Sequence, residues 1–413
     1  MARPSPTLRD GHQVQLLEGG RDFFLALILA MDASALEVRL ETYIFRFDAS
    51  GEPVARALVR AAMRGVAVYL VIDGAGTQSL PAFWAQQFDQ AGVQWRIYSP
   101  LGGLGWFLPS RWRRLHRKLC VVDGCIAFCG GINLLDDFED PNHGRLAAPR
   151  VDFSVRVTGP LVRTASEVMT KFWWRLKAVT EARERNFPAA WAALQAARHV
   201  ETRQSAAINH GAGKALISGS RPAMRATLLL RDNLHHRTQI ERAYLKAIGE
   251  ARHEIIIANA YFLPGIRLRR ALIHAAQRGV RVRLVLQGRY EYFMQYHGAR
   301  PVYGALMAAG VEIVEYGDSF LHAKVAVIDR HWATVGSSNL DPLSLLLARE
   351  ANVVVDDAAF AQDLHDRLEH AMTHGGQRID PVAYARRTWR QRCLAWLAFA
   401  LVRAMLFVSG KRY

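Results

Sequence analysis

The sequence predicts an α/β fold built from two similar halves, and three observations carry that reading. Apolar, β-branched runs alternate with amphipathic helical stretches, the pattern of parallel strands flanked by helices. One strand signature occurs twice, as RGVAVYLVIDG at residues 64–74 and RGVRVRLVLQG at 278–288. A stricter pattern also occurs twice: LHRKLCVVDGCIAFCGGIN at 115–133 and LHAKVAVIDRHWATVGSSN at 321–339. Each copy reads H-x-K-x-x-x-x-D, followed at the same offset by two small residues and an Asn. So long a repeat means two domains, not a solenoid, whose units are far shorter.

In order, residues 1–12 are polar and are expected to form a loose tail. The run FFLALILAM at 23–31 is too short to span a bilayer and lacks a cleavage pattern. It is expected inside a buried helix that begins near Val14. Alternation and turn residues then predict a strand over 35–45 and a helix over 52–64, closed by Gly65. A strand follows over 66–73, a helix over 80–91 and a strand over 93–98. The motif hairpin comes next, its two strands joined by a tight turn at Asp123-Gly124. A strand over 151–157 and a helix over 162–179 close the first half. The second half repeats this: HEIIIANAYFLP from His253 answers the strand ending near Tyr43, and GVEIVEYG at 310–317 answers GVQWRIYSP at 92–100. Domains are therefore expected at 13–182 and 215–375, joined by a charged, Ala-rich linker at 183–214 and followed by a basic, apolar tail at 376–413.

Composition narrows the functional classes. Apolar residues make up 51% of the 413, which excludes global disorder, and a formal charge of +16 points to a polyanionic partner. Charge alone does not separate nucleic acid from an anionic bilayer. Three of the four Cys (Cys120, Cys125, Cys129) crowd the first hairpin without C-x-x-C spacing or a His cluster, so no structural zinc and no disulfide framework are expected.

The motifs carry the chemistry. Residues i and i+2 of a strand share a face, so His116 and Lys118 point together, as do His322 and Lys324. Such a pair of pairs suits a phosphodiester: one His attacks phosphorus, the other protonates the leaving oxygen, and two Lys hold the phosphoryl charge. Asn133, Asn339 and the Ser337 hydroxyl are candidate neutral donors to substrate. Asp123 and Asp329 are expected to orient an imidazole through its second nitrogen, as a triad Asp does. No metal or other cofactor is expected, because the lysines take the neutralising role.

These two stretches resemble the paired HKD motifs of the phospholipase D superfamily, and the resemblance covers roughly residues 32–368. Within that superfamily the chain is similar to the bacterial cardiolipin synthases, particularly the B type, which lacks the two N-terminal membrane helices of the A type. RDNLHHRTQIERAYLKAI at 231–248 resembles the segment that opens their second half. The resemblance implies two phospholipase D-like αβα-sandwich domains related by a pseudo-two-fold, with one shared active site. It implies that His116 is the nucleophile and His322 the general acid; the residues themselves do not assign these roles.

Other candidates lie around the motifs. Tyr43 and Tyr261 occupy matching positions at the ends of equivalent strands, where α/β sheets open toward ligand, and are candidates to line the pocket. Glu350 and Asp152, soon after each motif, are placed to accept a hydrogen bond from the catalytic His of the opposite half and fix its tautomer. The loop at 99–114 combines Trp106, Phe107, Leu108 and Trp112 with Arg111, Arg113 and Arg114, a mixture suited to a lipid interface and also to nucleic-acid stacking. The run CLAWLAFALVRAMLFV at 393–408 carries only Arg403 as a charge and reads as an interfacial or shallowly inserted helix. That tail favours a lipid substrate over nucleic acid. The expectation is a phosphatidyltransferase of cardiolipin synthase type acting on phospholipids at an anionic membrane, peripheral or shallowly anchored on its cytoplasmic face. A phospholipase D hydrolase or a nucleic-acid phosphodiesterase on the same scaffold is the alternative.

Overall fold

The computed structural model describes the backbone of residues 6–100, 112–198, 200, 223–232, 236, 238–290, 293–341 and 348–408, with side chains except at 293–296, 392, 402, 403 and 405–408. The first half contributes strands β1 (Arg9–Glu18), β2 (Glu37–Thr42), β3 (Ala67–Asp73), β4 (Gln94–Tyr98), β5 (Arg114–Leu115), β6 (Lys118–Val122), β7 (Ile126–Gly130), a small β8 (Glu139–Asp140) and β9 (Gly144–Arg145) hairpin, and β10 (Phe153–Thr158). Its helices are α1 (Gly19–Asp32), α2 (Gly51–Met63), α3 (Ala82–Ala91), α4 (Leu161–Arg183) and α5 (Phe187–Arg198). The second half contributes β11 (Met224–Arg231), β12 (Glu254–Asn259), β13 (Arg281–Gln287), β14 (Glu312–Tyr316), β15 (Lys324–Ile328), β16 (Trp332–Gly336), β17 (Ala348–Asp356) and β18 (Gly376–Arg378). Its helices are α6 (Gln239–Glu250), α7 (Ile266–Gln277), α8 (Phe293–Ala308), α9 (Ala358–Gly375), α10 (Pro381–Ala385) and α11 (Trp389–Val408).

The halves share one topology. The first sheet runs β1-β10-β7-β6-β2-β3-β4 and the second β11-β17-β16-β15-β12-β13-β14, with β18 added at its edge. β2, β3 and β4 are parallel, as are β12, β13 and β14, while the motif hairpins pair antiparallel. β1 and β11 pair across the junction, so the two sheets form one continuous surface. α1 to α3 cover the outer face of the first sheet, and α6 to α8 that of the second. The inner faces share a third core with α4 and α9, in which Leu119, Val121 and Phe153 meet Leu228, Val353 and Leu364. That shared core fixes the halves against each other and brings the two motifs to one seam.

Three expectations are corrected. Val14 lies in β1, not in a helix: residues 12–16 alternate in burial, residues 13–18 pair with β10, and the helix begins only at Gly19. The tail is correspondingly shorter, and His12 is buried, its Nε2 accepting the Leu161 amide. Finally, α4 runs to Arg183 and α5 occupies much of the expected linker, because small residues Ala190, Ala193 and Ala197 let it pack closely. Residues 101–111, with Trp106, Phe107, Leu108 and Arg111, lie outside the described residues, as does all of 201–222. The tail helix α11 packs on α8 through Ala395 and Ala398, leaving Trp396, Leu397 and Leu401 exposed. Among the described residues no helix is long and apolar enough to cross a membrane.

Candidate active site

Each motif histidine is held by the other half. The chain before His116 forms β5, which pairs with β17, and the His116 amide donates to Arg349 O at 3.0 Å. Val151 bridges Leu321 in the same way, and the His322 amide donates to Val151 O at 2.8 Å. The next residue on each supporting strand is the carboxylate. His116 Nδ1 lies 3.1 Å from Glu350 Oε1, and His322 Nδ1 lies 2.6 Å from Asp152 Oδ2. The backbone pin and the side-chain pair thus come from one step along the same strand.

A second pin was not anticipated. Asp73 ends β3, and its Oδ2 accepts the Leu115 amide at 2.6 Å while Oδ1 takes Arg114 at 3.1 Å. Gln287 ends β13 and accepts the Leu321 amide at 3.3 Å. Both residues set the segment immediately before a motif histidine. The repeated VIDG and VLQG stretches aligned them, but only the folded register shows what they hold.

The lysines complete the cluster. Lys118 Nζ donates to His116 O at 2.8 Å, and Lys324 Nζ donates to His322 O and lies 2.8 Å from His322 Nδ1. Both ammonium groups are buried. Tyr43 lies beside them, its ring 5.0 Å from the His116 ring and 5.4 Å from Lys118 Nζ. Asn133 is buried; its Oδ1 accepts the Ile44 amide at 3.3 Å, and it lines a small cavity with Asp152 and His322. Asn339 is buried after β16.

Crowding of like charge in a dry seam sets the protonation states. Burial, and then Lys118, hold His116 below the ordinary imidazole value. Burial with Lys324 and Lys118 pushes His322 well below it, so the two motifs feel each other's charge. Burial and Lys324 bring Lys118 down to about 7. The carboxylates diverge. Burial raises Asp152 to about 6 against the pull of Lys324. Burial acts on Glu350 too, but the His116 charge and hydrogen bond, Lys118 and Ser337 outweigh it and leave Glu350 lowered. An ionised Glu350 only accepts, so it directs the His116 proton to Nδ1 and leaves the Nε2 lone pair unprotonated.

Several expected residues serve elsewhere. Asp123 does not reach an imidazole: it sits at the hairpin turn and accepts the amides of Ala35, Leu36 and Glu37 at 2.8–2.9 Å. Asp329 does the same for Arg252, His253 and Glu254, each at 2.8 Å. Both lie five residues up the strand from the motif lysine, roughly 16 Å at ~3.3 Å per residue. Ser337 is turned from substrate toward Glu350 Oε2, 2.5 Å away, and its Oγ also accepts the Ala351 amide. Its counterpart Gly131 leaves room for Asp152, since a Cβ there would lie 2.2 Å from Asp152 Oδ1. Tyr261 is not the partner of Tyr43. Glu41 faces Leu119 and Asn259 faces Lys324, a register that makes Ala260 the equivalent of Tyr43.

Among the described residues, one cluster away from the seam has metal-ligand chemistry, Glu254, His365 and Glu369. Arg283 already bridges the two carboxylates, with Nη2 2.6 Å from Glu254 and in contact with Glu369, so the cluster is an ion-pair network. Cys129 donates across the seam to Ala351 O at 3.6 Å, and burial pushes its thiol up to about 12, which makes it a packing residue.

Two halves of one topology, meeting with a His-Lys pair from each at a common seam, define an enzyme of the phospholipase D superfamily. The comparisons are specific beyond that class. The chain belongs to the cardiolipin synthase family with PLD-like domains, whose pattern matches residues 27–143 and 244–372, one block in each half. It is 38% identical over 404 residues to cardiolipin synthase B of Escherichia coli, covering 96% of this chain and 89% of that one. It is 29% identical over 367 residues to cardiolipin synthase A of Pseudomonas putida, covering 87% of this chain and 69% of that one. Among solved structures it is similar to phosphatidylserine synthase of Haemophilus influenzae, with a TM-score of 0.66 over 98% of this chain and 96% of that one. At 12% identity that likeness shows the fold alone.

Proposed function

We propose that this enzyme forms cardiolipin by phosphatidyl transfer through a histidine intermediate, and the observation that carries the reading is the crossed pairing of His116 with Glu350 and His322 with Asp152. Neutral His116, its proton held at Nδ1, attacks the phosphorus of a phosphatidylglycerol or phosphatidylethanolamine donor through Nε2. The P–O bond to the headgroup breaks, and the departing oxygen takes a proton from His322. Free His322 sits well below the ordinary imidazole value, so the incoming phosphate anion is what favours its protonated form. In the second step His322 takes the proton of a phosphatidylglycerol hydroxyl, whose oxygen displaces His116 from phosphorus. Lys118 and Lys324 face the phosphoryl charge throughout. Water in place of the acceptor lipid turns the same site into a hydrolase.

The membrane is the proposed partner, on its cytoplasmic face. Support comes from the charge of +16, from the exposed Trp396, Leu397 and Leu401 of α11, and from the lipid names of the relatives. The test is product analysis by mass spectrometry after incubation with phosphatidylglycerol vesicles, with and without phosphatidylethanolamine. Cardiolipin from wild type and none from His116→Ala supports transfer. Phosphatidic acid alone would replace it with hydrolysis.

A further inference from the structure

Helix α5 is amphipathic in the wrong sense for a helix that only has to pack on its own protein. Its buried positions are alanines, Ala190, Ala193 and Ala197, while Phe187, Trp191 and Leu194 are 67%, 57% and 41% exposed. The spacing 187, 191, 194 is i, i+4, i+7, so the large groups form one stripe, and Arg198 continues it by one more turn. Burying methyl groups while two aromatic rings stay in water costs solvation that packing does not return.

The stripe runs into a basic cavity of about 650 Å³ between α4, α5 and the ends of β11 and β17. Leu194 and Arg198 form part of its wall, with Lys171, Arg175, Arg231 and Arg349 around it. Its acids are Glu167 and Asp232, so cations are in excess even though Arg117, also on the wall, is committed to Glu41. The Arg349 Nε is buried without a hydrogen-bond partner, its guanidinium lying 4.7 Å over the Phe172 ring. Burial lowers Arg231 to about 10 despite Glu350 nearby, a sign of desolvated positive charge. Arg349 is adjacent to Glu350 and Arg117 to His116, so the cavity backs directly onto the strands that carry the site.

We infer that the α5 stripe and this cavity form a docking surface for an anionic phospholipid bilayer, with Phe187, Trp191 and Leu194 among the headgroups and acyl ends and lipid phosphate in the cavity. The inference rests on the lipid reading of the active site, and it adds a contact in the first half to the α11 face of the second. Charge complementarity selects the occupant: an apolar stripe ending in arginines matches an interface of aromatic depth and anionic headgroups.

The test uses the full chain with an environment-sensitive dye at Trp191→Cys in a Cys125→Ser, Cys393→Ser background, because those two native thiols reach solvent. Cys120 and Cys129 are buried with raised pKa values, so the introduced thiol reacts first. Phosphatidylglycerol vesicles are expected to shift the dye emission to the blue and expose it to lipid-borne quenchers, whereas a dye at Met63→Cys on α2 stays unchanged. Arg175→Glu with Arg198→Glu, both on the surface, is expected to weaken vesicle partitioning about tenfold or more at low salt. The same pair should leave turnover of dispersed short-chain phosphatidylglycerol unchanged. A silent dye at 191 on protein that still sediments with vesicles would overturn the surface, as would unaltered partitioning of the charge variant. A shift that follows protein concentration without lipid would also overturn it, assigning the stripe to a second copy of the chain. Failure of wild type to turn over dispersed lipid would instead strike the functional reading, because the dye and partitioning answers do not depend on turnover.

Discussion

His116 Nδ1 lies 3.1 Å from Glu350 Oε1, and the two residues belong to opposite halves, 234 positions apart. The reciprocal contact, His322 with Asp152, spans 170 positions in the other sense. Neither half therefore holds a complete histidine–carboxylate pair. Glu350→Gln and Asp152→Asn keep the shape of each carboxylate and remove its charge. Each is expected to lower kcat by roughly 100-fold or more, by analogy with loss of a triad carboxylate. Steady-state rates on phosphatidylglycerol check this, and activity within a few-fold of wild type in both variants would contradict it.

The residue pair at Ser337 and Gly131 predicts unequal sensitivities. Ser337→Ala removes one donor to Glu350 and is expected to cost about tenfold in kcat, since a charge-assisted hydrogen bond of ~1.5 kcal/mol is lost. Gly131→Ala drives a methyl into the Asp152 carboxylate and is expected to cost far more. Equal effects in a side-by-side assay would mean that the carboxylates do not set the histidines.

The pH profile of kcat/KM reports the free protein. His116 acts neutral, and its value is held below the ordinary imidazole range, so the acid limb is expected below pH 6.5. Lys118 acts protonated and sits at about 7, so activity is expected to fall as pH rises through that region. A plateau reaching pH 9 on dispersed short-chain lipid would show that Lys118 keeps its charge by other means.

Asp329 is expected to carry stability, not chemistry, because it caps three backbone amides at the hairpin turn. Burial raises its carboxyl, but the three backbone amides outweigh that and hold it below the ordinary carboxylate range. A depressed acid stabilises the fold fully above its unfolded value and loses that contribution as pH falls through its folded value. Asp329→Ala is therefore expected to lower stability by about 2 kcal/mol at pH 7 and to lose that difference in acid, with kcat within a few-fold of wild type. Denaturant titrations at pH 7 and pH 3, paired with rates, check both parts.

The repeat made much of this legible. His116, Lys118, His322 and Lys324 could be read because strand periodicity puts i and i+2 together, and Glu350 and Asp152 because they recur soon after each motif. Asp123 and Asp329 were misread from spacing that also held the answer: an odd offset from the histidine, beyond a full strand, places a side chain at the far turn. Tyr261 failed by a single residue, which a ladder register decides and a sequence does not. Asp73 and Gln287 were visible as repeat positions but silent in role, since their partners are backbone amides of a distant segment. Residues 14–18 read as helix because the apolar end of β1 runs directly into the helical residues 19–32. The stripe on α5 stayed hidden in a stretch read as linker, because only packing reveals that its alanines face inward.

The proposed mechanism turns on a covalent phosphatidyl-histidine formed at His116 and relayed by His322. Protein incubated briefly with short-chain phosphatidylglycerol, quenched, digested and read by mass spectrometry measures it directly. The adduct is expected on His116 in wild type, absent from His116→Ala together with cardiolipin formation. An adduct confined to His322, or cardiolipin still made by His116→Ala, would contradict it.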